Sequence, residues 1–172
     1  MSTVVSYELN PQHKSDGFSL IELIVAIAIL AIIVTVAIPS FGNSLERKRT
    51  QGLTTAIATD MEFLLAEATK RNLNVSMTLS STGYSIAADN SGTSIPVKSI
   101  TYANNYPGSS ATANFGGSPV SLVYTYNPKL GRLTSSIGSV TVTNGNASLT
   151  IFVNPLGRPS VCGAFGGYPA CP

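Results

Sequence analysis

Histidine occurs once in this chain, at His13, and cysteine only twice, at Cys162 and Cys171. With the one histidine ahead of the main apolar run, no Ser-His-Asp or Cys-His catalytic set can be assembled from the rest of the chain. Cys-x8-Cys without a further Cys or His is not a zinc pattern. Charge is scarce too. Charged residues make up 10% of the chain, and beyond Asn72 they are only Asp89, Lys98, Lys129, Arg132 and Arg158. A net charge of +2 gives no electrostatic case for nucleic acid or a membrane surface. Phe115-Gly116-Gly117-Ser118-Pro119 and Phe165-Gly166-Gly167-Tyr168-Pro169 open no helical pattern, so their paired glycines read as turn chemistry and not as phosphate loops. The expectation is a non-enzymatic chain with no catalytic residues, no metal and no cofactor.

Apolar residues are plentiful, and much of the excess sits in one run, Leu20 to Ile38, broken only by Glu22 and Thr35. At 1.5 Å per residue this run spans about 30 Å, the thickness of a bilayer's hydrocarbon core. A signal peptide would have a shorter apolar core and a small-residue cleavage site after it. Here Pro39-Ser40-Phe41 follows instead. Glu22 is the informative residue. A carboxylate in the membrane is costly and usually has a partner, unless it lies near the interface and snorkels to the headgroups. No cation lies within the run, so a partner must come from another chain or from a new amino terminus made nearby.

Pro39 has no amide hydrogen and clashes with the carbonyl of Thr35, so the helix should kink there. It then continues as one helix: Phe41, Leu45, Leu53, Ile57, Met61, Leu64, Leu65 and Ala68 form a stripe at helical spacing, weakened at Arg49 and Gly52. Asn72 and Asn74 fit a helix stop. From Val75 the period becomes two. Strands are expected at Val75–Leu79, Tyr84–Ala88, Pro96–Tyr102, Val120–Tyr126, Val140–Val142 and Leu149–Val153, the last two joined by a hairpin at Asn144-Gly145. The fold class is α+β. It comprises a long kinked amino-terminal helix, transmembrane in its first half, packed on an antiparallel sheet or sandwich head. The cysteine pair reads as a disulfide in an oxidising compartment, the other reading being two cytosolic thiols. Arg47, Lys48 and Arg49 favour the opposite orientation by the positive-inside rule. The cysteine pair and the low-charge region outweigh them.

Gly17-Phe18-Ser19-Leu20-Ile21-Glu22-Leu23, followed by the apolar run and Pro39, resembles the class III signal sequence of type IV pilins and type II secretion pseudopilins. The resemblance implies cleavage after Gly17 by a prepilin peptidase, N-methylation of Phe18, and pairing of Glu22 with the terminal amine of a neighbouring subunit. It implies a helix kink at Pro39. Asp16 stands where a basic residue is usual. "AEATKRNLNVSM" leaving the helix, and a strand-Gly-Arg near the end, resemble the GspH/FimT branch of minor pilins and pseudopilins, whose head is a β-sandwich. The expected organisation is a leader over 1–17, a transmembrane half-helix over 18–40, an amphipathic half over 41–72 and a β-rich periplasmic head over 73–172.

The implied function is a structural subunit that helps initiate or cap a type IV pilus or type II secretion pseudopilus. Its implied partners are other pilins or pseudopilins, the prepilin peptidase, an inner-membrane assembly platform and inner-membrane lipid. The terminal cysteine pair leans toward a pilus. The alternative is a FimT-like head that binds DNA, with Lys98, Lys129, Arg132 and Arg158 as contacts. An ordinary single-span sensor explains the span and the bridge, but not Gly17-Phe18, Glu22 and Pro39 together. One short echo stands apart: Asn127-Pro128-Lys129-Leu130-Gly131-Arg132 resembles Asn154-Pro155-Leu156-Gly157-Arg158, each closing an apolar strand. A repeated turn solution accounts for it, since Pro fixes φ and Gly supplies a positive one.

Overall fold

The computed structural model describes residues 17–115, 122–133 and 138–171. The leader up to Asp16, the Gly116–Pro119 turn and the Val120 start of a predicted strand lie outside them. The chain divides into two compact units, meeting between Pro39 and Ser40. A single helix, α1 (Leu20–Arg71), supplies all the regular structure of the first unit and the opening of the second. The backbone stays helical through Pro39, so the expectation of one continuous helix holds.

In the second unit the predicted stripe is buried where it is densest. Leu53, Ile57, Met61, Leu64 and Ala68 are fully covered, each three or four residues from the last. Its beginning differs from expectation: Phe41 is 71% exposed. Burial starts instead at Thr50, and Thr54 turns its hydroxyl back onto the Thr50 carbonyl at 2.7 Å. The weak middle of the stripe has a packing reason. A Cβ on Gly52 would lie 3.0 Å from the ring of Tyr106, so the missing side chain makes room for that ring. Glu67 and Arg71 form an ion pair one turn apart, and Asn72 at φ +54° ends the helix as expected.

The strands are β1 (Asn74–Leu79), β2 (Gly83–Asn90) and β3 (Thr93–Thr101). After a short helix α2 (Tyr102–Asn105) come β4 (Ser109–Asn114), β5 (Leu122–Asn127), β6 (Arg132–Leu133), β7 (Gly138–Asn144), β8 (Ala147–Val153) and β9 (Pro159–Gly163). They form a five-stranded sheet in the order β3-β2-β1-β5-β6 and a four-stranded sheet in the order β4-β7-β8-β9, with antiparallel pairing throughout. Alternate residues point inward: Val75, Met77 and Leu79; Tyr84, Ile86 and Ala88; Val140 and Val142; Ile151 and Val153. Together with the helix stripe they make one core.

Four details correct the sequence reading. Tyr102 begins α2 instead of ending β3, and β3 starts earlier, because Ser91 and Gly92, at φ +54° and +89°, form a two-residue turn. β4 was not expected, since its inward residues are only Ala111 and Ala113. Nor was β9, which opens on Pro159 and carries Cys162. The β7–β8 hairpin is present but shifted by one residue. Asn144 pairs with Ala147, so the loop is Gly145-Asn146, and of these only Gly145 has a positive φ (+54°). The Asn144 side chain is buried and donates to the Pro107 carbonyl at 3.0 Å and to Ser109 Oγ at 2.8 Å.

Cys162 and Cys171 are bridged, with Cα atoms 5.0 Å apart. The bridge closes the chain end onto β9, where the Gly163 amide donates to the Pro169 carbonyl at 2.8 Å. Closing so short a loop restricts the unfolded chain by about 2–3 kcal/mol in the chain-entropy account. We expect Cys162→Ser to lower the melting temperature of the protein and to increase proteolysis between Gly163 and Ala170, while the rest of the fold persists. An unchanged melting temperature would show that the bridge contributes nothing to stability.

Candidate functional site

The first candidate site is the amino-terminal end of α1. Gly17 and Phe18 precede the helix, whose first bond runs from the Leu23 amide to the Ser19 carbonyl at 3.1 Å. The local fold does not demand glycine at 17: its φ is not in the left-handed region, and no atom lies within 4 Å of where a Cβ would sit. Phe18 is 85% exposed. Residues 17–35 are exposed all round the helix, so among the described residues no part of the chain covers this apolar surface. A helix apolar on every face requires an apolar medium or other helices. Thr35 resolves its own polarity by donating to the Ile32 carbonyl at 2.7 Å. Glu22 does not. It sits in the first turn, where the helix dipole favours an anion, but among the described residues it has neither a hydrogen bond nor an ion pair.

The second candidate is the set of four head cations, and the fold separates them. Lys98 lies on β3, with Nζ 2.6 Å from Asp60 Oδ1. The Tyr84 hydroxyl donates to the other oxygen of the same buried carboxylate at 2.5 Å. Asp60 thus ties α1 to β2 and β3, an arrangement with no signature in the local sequence. Lys129 and Arg132 share the β5–β6 turn region at the opposite edge of that sheet, because β3 and β6 are its two outer strands. Arg158 belongs to the β8–β9 turn of the other sheet. Only Lys129 and Arg132 are brought together.

The charges after Pro39 also find partners in the head. Glu46 accepts the Asn146 amide at 3.2 Å, and its carboxylate occupies the space a side chain on Gly145 would need. The Arg47 guanidinium stands 5.8 Å from the Phe165 ring centroid, so the helix meets the disulfide-closed loop there. Arg49 Nη1 donates to the Pro107 carbonyl at 3.3 Å. From the sequence, Arg47 and Arg49 read as orientation signals, and Arg49 also as a weak point of the apolar stripe. Both serve packing of the second unit. Among the described residues, no three His, Cys, Asp or Glu side chains converge.

Residues 12–38 match the family model of the prokaryotic N-terminal methylation motif, and residues 53–157 match that of type II transport protein GspH. No curated protein and no solved structure matches the chain.

Two tyrosines next to the Asp60 site carry a pH dependence. Their rings lie 6.1 Å apart. Burial drives Tyr84 above the ordinary tyrosine range, and the hydrogen bond and charge of Asp60 raise it further. The Tyr102 hydroxyl is buried with no hydrogen bond among the described residues, and burial pushes its pKa up from 10 to about 12. An acid whose pKa is raised by folding contributes fully below its unfolded value and loses that contribution as pH climbs toward the folded one. Urea midpoints should therefore be steady to about pH 10 and fall between pH 10 and 12. Tyr102→Phe, which removes a buried hydroxyl without a partner, should match or exceed the wild-type midpoint at pH 7 and flatten the alkaline fall. A lower midpoint at pH 7 would show that the hydroxyl is satisfied.

Proposed function

The chain belongs to the GspH family, and with its methylation motif in register we propose that it is a pseudopilin or minor pilin that helps start or cap a filament. With this motif, and one helix among the described residues long and apolar enough to cross a membrane, it is a membrane-anchored chain. The observation that carries the reading is Glu22, without a partner among the described residues, four residues from Phe18 in a stretch, residues 17–35, that has no covered face. Hydrolysis of the Gly17–Phe18 peptide bond by a prepilin peptidase leaves a carboxylate on the leader and an ammonium on Phe18. N-methylation keeps that nitrogen basic. The apolar helix then waits in the inner membrane, with the head in the periplasm, until it moves into a bundle of like helices.

There a neighbour's terminal amine meets Glu22. Neither charge is tolerable alone in an apolar bundle, whereas paired they are, so the pair sets the axial register between subunits. Glycine at 17 then has an external reason: a side chain there would obstruct the peptidase, although nothing in the fold excludes one. Pro39 gives the helix a place to adjust between its two surroundings. The partners that follow are other pilins or pseudopilins, the peptidase and the assembly platform.

Two measurements test this. The intact mass of purified protein should correspond to a chain beginning at methylated Phe18; mature protein that keeps Met1–Gly17 would overturn the reading. Glu22→Ala should insert into membranes normally, since it removes an intramembrane charge. Its amount in sheared filaments should fall roughly tenfold or more, because stranding one member of a buried pair costs about 3–5 kcal/mol. Normal incorporation would remove the pairing role.

A further inference from the structure

The sequence echo returns in the structure as two turns of the same construction. Asn127 is the last residue of β5, and Asn154 directly follows β8. The side-chain oxygen of Asn127 accepts the amides of Lys129 (2.9 Å) and Leu130 (3.3 Å). That of Asn154 accepts the amides of Leu156 (3.0 Å) and Arg158 (2.9 Å). The glycine after each leucine has a positive φ, +62° at Gly131 and +81° at Gly157. Such a turn needs its asparagine, proline and glycine. It has no use for a leucine.

Yet Leu130 is 56% exposed and Leu156 61%. After α1, these are the two large hydrophobic side chains left exposed among the described residues, and each stands directly before the positive-φ glycine of its turn. After each following glycine stands an exposed arginine, Arg132 or Arg158, with no carboxylate partner among the described residues. One turn shares a cleft with Asn72, Leu73 and Asn74, at the carboxyl end of α1. The other is at the far end of β8 from the hairpin that Glu46 holds. Both are therefore away from Glu46.

We propose that the two Leu-Gly-Arg tips form a two-point docking surface for an acidic protein partner, each leucine entering an apolar pocket and each arginine meeting a carboxylate at its rim. The partner is a neighbouring filament subunit, an assignment that rests on the pseudopilin reading. Arginine is enriched at the energetic centres of interfaces, and the exposed leucine beside it supplies apolar area to bury. The cationic tips select an acidic surface, and repetition on two sheets fixes the orientation of the partner. Nucleic acid fits less well. A phosphate backbone gives the leucines nothing to bury against, and Lys98 is held by Asp60.

The test uses the full chain in detergent, with filaments sheared from the producing cells as the probe and co-sedimentation as the readout. Leu130→Ser/Leu156→Ser and Arg132→Gln/Arg158→Gln alter exposed side chains only, so both variants should melt with the wild type. Each should reduce filament binding by about tenfold or more. High salt should reproduce the arginine loss but not the leucine loss. Binding to a short DNA duplex, followed by fluorescence anisotropy, should be weak and indifferent to the leucines. The proposal is overturned if the leucine variant sediments like the wild type, or if only duplex binding depends on the arginines. With Glu22→Ala run alongside, an assembly defect in that variant beside normal binding of the leucine variant would sink the docking surface and leave the subunit reading intact. Failure of the wild type itself to sediment would remove both.

Discussion

Complete burial of Leu53, Ile57, Met61, Leu64 and Ala68 is the contact around which the second unit is arranged. A helix stripe of that width cannot be covered by one short hairpin. Two sheets share the task, and the alternating residues of β1, β2, β7 and β8 reach the same core. The exceptions in the stripe serve the same packing. Gly52 admits the Tyr106 ring, and Thr50 and Thr54 are buried on either side of Leu53. A larger residue at 52 would have to displace an aromatic ring that packs against the core.

The opposite condition holds over residues 17–35, at the start of α1 and just before it, where every described side chain is exposed. The helix is thus built for two surroundings. One part is covered by its own chain, and the other needs lipid or like helices. Glu22 belongs to the second condition. In water an unpaired exposed carboxylate is unremarkable, whereas in hydrocarbon it demands a counter-charge.

Scarcity of charge makes the remaining ionic groups readable. Asp60 draws Lys98 and Tyr84 to itself and so holds the outer strand β3 to the helix. Glu46 closes a hairpin, Arg47 meets the disulfide-closed loop, and Arg49 reaches Pro107. Among the described residues Arg132 and Arg158 have no carboxylate partner, and they stand at turn tips beside exposed leucines. Charges with internal tasks and charges left for other molecules can be told apart by their partners.

Local chemistry was enough to read the helix, its end at Asn72, the main strands and the cysteine pair. Each of these depends on the spacing of side chains along a few turns or on the conformational bias of one residue type. The same holds for the resemblance from Gly17 to Pro39, which is a matter of linear register. It did not reveal β4 or β9, whose inward residues are small or whose first residue is proline, so neither carries a strong period of two. The order of strands, the exposure of Phe41 and the separation of Lys98 from Arg132 were decided by tertiary structure alone. They depend on which distant surfaces meet. Asp60 and Lys98 are 38 residues apart and Glu46 and Asn146 are 100 apart. No local propensity or periodicity carries that information, because pairing across such distances is set by the joint burial of the whole core.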